Sequence, residues 1–215
     1  MKYNYSVFFD LDETIINGKS MLLALEFYFK NDKKIYENIL SDIKNYSEKN
    51  KNSREKLNQY FYTKFSDFDE NLMKEKCQEW FLKEGEILLN KSVIEEIKFH
   101  QDNQALIIIV SGSFKECVQP MADYLNIEHV ICNQLEVVNG VYSGKLLNRP
   151  VIGHEKANRI KEFIQYKNMN FMGSYAYGDH ISDLSMLMLA DNPVIVGTDP
   201  QLMAYGQING WKVIN

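Results

Sequence analysis

The chain has 215 residues, 45% of them hydrophobic and 25% charged, with a formal net charge of −5. That length suits one α/β core with a small accessory unit, and that hydrophobic share argues against a disordered chain. No basic stripe is present, so nucleic acid is not expected as a partner; the most apolar run, Ala105 to Val110, is too short to cross a bilayer.

The opening MKYNYSVFFD lacks a charged start followed by a long apolar stretch, so no signal peptide is expected. Tyr5 to Phe9, short, aromatic and β-branched, reads as a strand. It stops at two acids, Asp10 and Asp12. From about Ser20 to Leu89 the apolar residues recur at helical spacing: Leu22, Leu25 and Phe29, then Ile35, Ile39 and Ile43, then Leu57, Tyr60 and Phe61. Ser53 and Asp69 read as helix starts, and a bundle of roughly four helices is expected here. Ser92 is read as the cap of a helix running to about Gln101. ALIIIV, residues 105 to 110, reads as a central strand of a parallel sheet. A helix follows over Lys115 to Leu125 despite Pro120, then a short strand at Val130 to Cys132. Asn139-Gly140 between two apolar runs predicts a hairpin. Helix His154 to Tyr166, strand Tyr175 to Tyr177, helix Ile181 to Leu189, strand Val194 to Val196 and a last strand Lys212 to Ile214 complete the reading.

This alternation implies an α/β fold with a doubly wound parallel sheet, the helical segment being an insertion after the first strand. The core is expected over residues 1–17 and 90–215, the insertion over 18–89. Cys77, Cys117 and Cys132 are odd in number and lack CxxC spacing. They are expected to be buried or half-buried thiols of a protein in the reducing cytoplasm.

Ligands of open α/β sheets bind beyond the carboxyl ends of the strands. The first strand delivers Asp10-Leu11-Asp12-Glu13-Thr14 there. A second delivers Ser111-Gly112-Ser113, and a later one Gly178-Asp179-His180-Ile181-Ser182-Asp183; Lys156 opens the helix after the hairpin. Converging carboxylates repel one another unless a cation neutralises them, and hard oxygen donors without His or Cys clusters point to Mg²⁺. Mg²⁺ beside a lysine, a hydroxyl and backbone N–H groups suits a phosphoryl group. One carboxylate can then attack phosphorus while another, two residues on, protonates the leaving oxygen. Gly112 and Ser113 are candidate phosphate contacts through their backbone N–H groups.

These motifs, in this order, resemble those of the haloacid dehalogenase-like phosphohydrolases. The helical insertion and the Gly-x-x-Lys after the hairpin resemble the phosphoserine-phosphatase-like branch, subfamily IB. The resemblance implies a Rossmann-like core with a helical cap of type C1 that closes over the site and chooses the substrate. It implies Asp10 as nucleophile and Asp12 as acid and base, with the Asp12 backbone carbonyl also on the metal. It further implies Ser111 and Lys156 on the phosphoryl group, and Asp10, Asp179 and Asp183 on Mg²⁺. Phosphoserine phosphatases carry a glutamate nine residues after the nucleophile to hold the substrate ammonium. Lys19 stands there instead, a charge that repels an amine and attracts a second anionic group. His180 is placed at the site mouth, and Arg54 is read as a surface residue of the cap.

The expected activity is a Mg²⁺-dependent phosphatase acting on a small phosphorylated metabolite through an aspartyl-phosphate, by a monomer or homodimer. A phosphotransferase or mutase on the same scaffold is the alternative. A non-catalytic phosphate-binding module is disfavoured by the complete acid set, and a dehalogenase would leave Asp12 and the metal acids without a role.

Overall fold

The computed structural model describes residues 3–50 and 53–215. Strand β1 (Ser6–Phe9) is buried throughout, and its side chains alternate between two clusters. Val7 and Phe9 enter one, Phe8 the other, as the period of two in a strand demands. After β1 come four helices: α1 (Ser20–Tyr28), α2 (Lys33–Lys49), α3 (Arg54–Thr63) and α4 (Glu70–Trp80). The Ser53 and Asp69 side chains cap α3 and α4, accepting from the backbone N–H of Lys56 and Leu72. A wide turn (Phe81–Gly85) and a tight one (Glu86–Leu88) lead back to the core.

The rest alternates: α5 (Lys91–Asp102), β2 (Leu106–Phe114), α6 (Lys115–Tyr124), β3 (His129–Asn133), the hairpin β4 (Leu135–Val138) and β5 (Val141–Leu146), and α7 (His154–Tyr166). There follow β6 (Tyr175–Gly178), a short turn and α8 (Leu184–Leu187), β7 (Asn192–Val196), α9 (Pro200–Asn209) and β8 (Lys212–Ile214). Six strands form one sheet in the order β3-β2-β1-β6-β7-β8. Every neighbouring pair in it is parallel. Helices α5 and α6 cover one face, α7, α8 and α9 the other, so the sheet is doubly wound. The hairpin stands apart, turned by Asn139 and Gly140, both at positive φ.

The helical insertion is not a detached unit. Phe61, Tyr62, Phe65, Met73, Cys77 and Trp80 join Phe9, Ile109, Phe114 and Cys117 in one continuous apolar cluster. Its entry and exit segments are laced together: Asn17 N–H donates to the Leu88 carbonyl at 2.8 Å, and Asn90 N–H to that of Ile15 at 2.9 Å. Cys77 and Cys117 are buried, Cys132 half-buried, and all three thiols are free. Among the described residues, no helix is long and apolar enough to cross a membrane.

Three local expectations need correction, and one helix was not expected. Asn90, not Ser92, caps α5; its Oδ1 accepts from Ser92 N–H, and the Ser92 hydroxyl reaches the Asn215 carbonyl instead. Strand β2 does not stop at Val110 but runs to Phe114, because its pairing with β3 resumes at Phe114 after a register shift past Ser111. The helix expected over Ile181 to Leu189 is a single turn, Ile181–Asp183, followed by the short α8. Helix α9 has no counterpart in the pattern reading, although Asp199 caps it through Leu202 N–H with Pro200 behind it, a recognisable start.

Candidate active site

The two acids that interrupt the first strand lie just past its end. Asp10 N–H continues the parallel ladder by donating to the Tyr177 carbonyl at 2.9 Å. Its carboxylate therefore projects at the rim shared by β1 and β6. The chain then turns tightly, with Glu13 in the left-handed region at φ 67°.

Asp10 joins Asp179 and Asp183, which follow β6. One oxygen from each lies within 4.8 Å of the others. Lys156, in the first turn of α7, donates to Asp10 Oδ1 and, at 2.7 Å, to Asp183 Oδ1. The lysine, Asp10 and Asp183 are all buried. Burial disfavours the ammonium, yet attraction to Asp10 and Asp183 outweighs it and holds Lys156 above the usual lysine range. For Asp10, burial pushes the carboxyl well up; Lys156 opposes this, while Asp183, Asp179 and Asp12 add to it. Asp179 is raised by burial and by Asp183. A single lysine thus leaves the cluster short of positive charge. An all-oxygen donor set with that deficit fits a hard divalent cation such as Mg²⁺. Thr14 Oγ1 steadies Asp179 at 3.3 Å, and Gly178 admits Asp183: a Cβ there would sit 2.8 Å from the Asp183 Cβ.

Asp12 turns away from this cluster. Its Oδ1 accepts from Ser20 N–H at 2.7 Å, at the start of α1. Burial raises its carboxyl, and the Ser20 hydroxyl and amide, with Lys19 and Lys156, draw it back down. The Ser20 hydroxyl also reaches Ser113 Oγ at 3.0 Å.

Of Ser111, Gly112 and Ser113, only Gly112 faces the cavity; both serines are buried beside it, and Ser111 Oγ accepts from Ser113 N–H at 3.0 Å. Gly112 is hemmed in, since a Cβ would meet Ile152 Cγ1 at 2.9 Å. Its carbonyl takes three donors: Asn58 Nδ2 at 3.0 Å, Tyr62 OH at 2.9 Å and Asn133 Nδ2 at 2.6 Å. Two of these come from α3 of the insertion. The cavity is small and partly open to solvent.

Lys19 and Arg54 complete the wall. Lys19 pairs with Glu13 at the rim. Arg54 is exposed, as expected, and it also bridges from α3 to the segment after β6, where Nη1 donates to His180 Nδ1 at 2.6 Å and to Ser182 Oγ at 2.8 Å. His180 does stand at the site mouth.

As parts of the site, Ser20, Asn58 and Asn133 escaped the sequence reading. Asn58 and Tyr62 are four apart and share one face of α3, a usable signal in hindsight; Asn133 carried none.

Comparisons with known proteins show the family and the fold. The model of the haloacid dehalogenase-like hydrolases matches residues 7–188, and the chain belongs to that family. A probable phosphatase of Mycobacterium tuberculosis is 30% identical over 109 residues, 51% of this chain but only 38% of that protein. Further relatives matched over similar stretches are named phosphoserine phosphatases. Among solved structures, a Bordetella pertussis protein of unknown function superposes with a TM-score of 0.88 at 18% identity, covering 99% of both chains. A phosphoserine phosphatase holding an analogue of its phospho-aspartyl intermediate superposes at 0.70, with 17% identity, over 99% of this chain and 93% of that one. The fold is that of the phosphoserine-phosphatase-like branch.

Proposed function

We propose that the chain is a Mg²⁺-dependent phosphatase that hydrolyses a small phosphomonoester in the cytoplasm, with residues 18–89 as the cap over a core of 1–17 and 90–215. The observation that carries this reading is Lys156, buried and bonded to both Asp10 and Asp183 inside a cluster of three carboxylates.

In the proposed reaction an Asp10 oxygen attacks phosphorus, and the bond to the leaving oxygen breaks. Asp12 gives its proton to that oxygen, and the alcohol departs, leaving an aspartyl-phosphate on Asp10. Asp12, now ionised, takes a proton from water as the water attacks phosphorus; phosphate leaves and Asp10 is restored. Its raised carboxyl suits a group that must hold a proton before it donates. Lys156 and the backbone around Gly112 and Ser113, with the Ser111 hydroxyl beneath, would hold the phosphoryl oxygens. Asp10, the Asp12 carbonyl, Asp179 and Asp183 would hold Mg²⁺, which when bound offsets the negative charge of carboxylates and phosphate.

The test is phosphate release from a panel of small phosphomonoesters with Mg²⁺, run beside Asp10→Asn. Turnover by the native chain, and a fall of about 10⁴-fold in the variant with its circular dichroism unchanged, is the expected result. Near-native rates in Asp10→Asn would end the covalent mechanism.

A further inference from the structure

We propose that this site selects phosphomonoesters whose leaving group carries a second negative charge and rejects those carrying an ammonium, and that Lys19 sets this preference. The proposal rests on the phosphatase reading and specifies its substrate class.

Charge on the cavity wall is sorted by position. Among the described lining residues the carboxylates are Asp10, Asp12, Asp179 and Asp183. All are committed: Asp10 and Asp183 to Lys156, Asp179 to the same cluster, and Asp12 to the start of α1. On the solvent side, which we take as the side of the leaving group, the charged lining residues are Lys19 and Arg54, whose hydrogen bonds are exposed where those of Lys156 are buried. An ammonium entering there would meet two cations and no carboxylate free to receive it. An anion would meet both.

Lys19 is well placed for this. It is the residue before α1, in extended conformation, next to the serine whose amide holds Asp12. An ammonium group has three N–H donors. Lys19 spends one on Glu13, a half-exposed residue that does not line the cavity, and two remain. Arg54 adds to the effect: its partners His180 and Ser182 are hydrogen-bond acceptors, and among the described residues no carboxylate forms an ion pair with it. A guanidinium left without a counter-charge at the edge of a cavity favours an anion there.

The experiment uses three two-carbon phosphomonoesters that differ at the far end: phosphoglycolate with a carboxylate, ethyl phosphate with a methyl, O-phosphoethanolamine with an ammonium. kcat/KM is measured on the full chain with Mg²⁺. The expected order is phosphoglycolate, then ethyl phosphate, then O-phosphoethanolamine, with at least about a tenfold span. Lys19→Glu should invert the two ends, and Lys19→Arg should keep the native order. An ammonium ester used as well as the carboxylate ester, or a Lys19→Glu ratio equal to the native one, would overturn the proposal. Binding of the same three esters to Asp10→Asn, followed by calorimetry, separates the two readings. If nothing is turned over but the binding order holds, the phosphatase reading fails and the charge preference stands. A binding order led by O-phosphoethanolamine overturns the preference itself.

Discussion

The floor and the roof of the cavity are built on different terms. The floor is Asp10, Asp183 and Lys156, buried, mutually bonded and delivered by elements that flank one edge of the sheet. The roof is Lys19, Arg54 and Asn58, delivered by the helical insertion and held partly by exposed hydrogen bonds. Charges packed in the floor have no water to fall back on, so losing a partner there is costly. Exposed pairs in the roof are screened and contribute little to stability. The floor is therefore suited to invariant chemistry, and the roof is where charge can change without unfolding the protein.

The largest test of that contrast is Lys156→Met. It strands three carboxylates, and should cost about 3–5 kcal/mol of stability together with activity; thermal unfolding measures it, and an unchanged midpoint would erase the distinction between the two layers. Mg²⁺, as proposed, would act on the carboxylate cluster and not on the roof. Metal present at about a hundred times its dissociation constant should stabilise the native chain by about 2.7 kcal/mol, seen as a higher midpoint that EDTA reverses. Asp10→Asn should show a smaller Mg²⁺ gain, because one anionic ligand is gone.

In the roof, Asn58→Ala removes one of three donors to the Gly112 carbonyl and a partner of Asn133. A loss of about 1 kcal/mol in urea unfolding is expected, with kcat/KM falling more than stability. Behind the floor lies a buried polar chain: Tyr5 OH to His100 Nδ1 and His100 Nε2 to Tyr177 OH, each at 2.8 Å, then Tyr177 OH to Glu96 at 2.6 Å. Burial lowers His100 to about 4 from its ordinary 6.5. Folded, it stays neutral down to about pH 4; unfolded, it takes its proton below about 6.5. Acid therefore favours the unfolded chain across that window, by at most about 1.4 kcal/mol per pH unit. Urea midpoints at pH 7, 5.5 and 4.5 should decline, and His100→Gln should flatten the decline.

The floor was legible in the sequence because each part is a short motif anchored to a strand or helix end: DLDET after β1, GDHISD after β6, Lys156 in the first turn of α7. The doubly wound sheet was legible for a similar reason, since alternation of apolar runs is a local signal. The roof was not. Arg54 and His180 are 126 residues apart, and Asn58 and Gly112 are 54 apart. No local pattern pairs them; their meeting follows from how the helical bundle seats on the sheet. The overlong β2 was missed because Ser-Gly-Ser reads as a turn, and only pairing with β3 extends it.

The amide that steadies Asp12 belongs to the first residue of α1, and α1 is the first helix of the insertion proposed as the cap. Should that helix swing outward, it would take the anchor of Asp12, the proposed proton carrier, along. Admission of a ligand and readiness for proton transfer would then share a single pivot, and no separate sensor would be required to tell the chemistry that the door is shut.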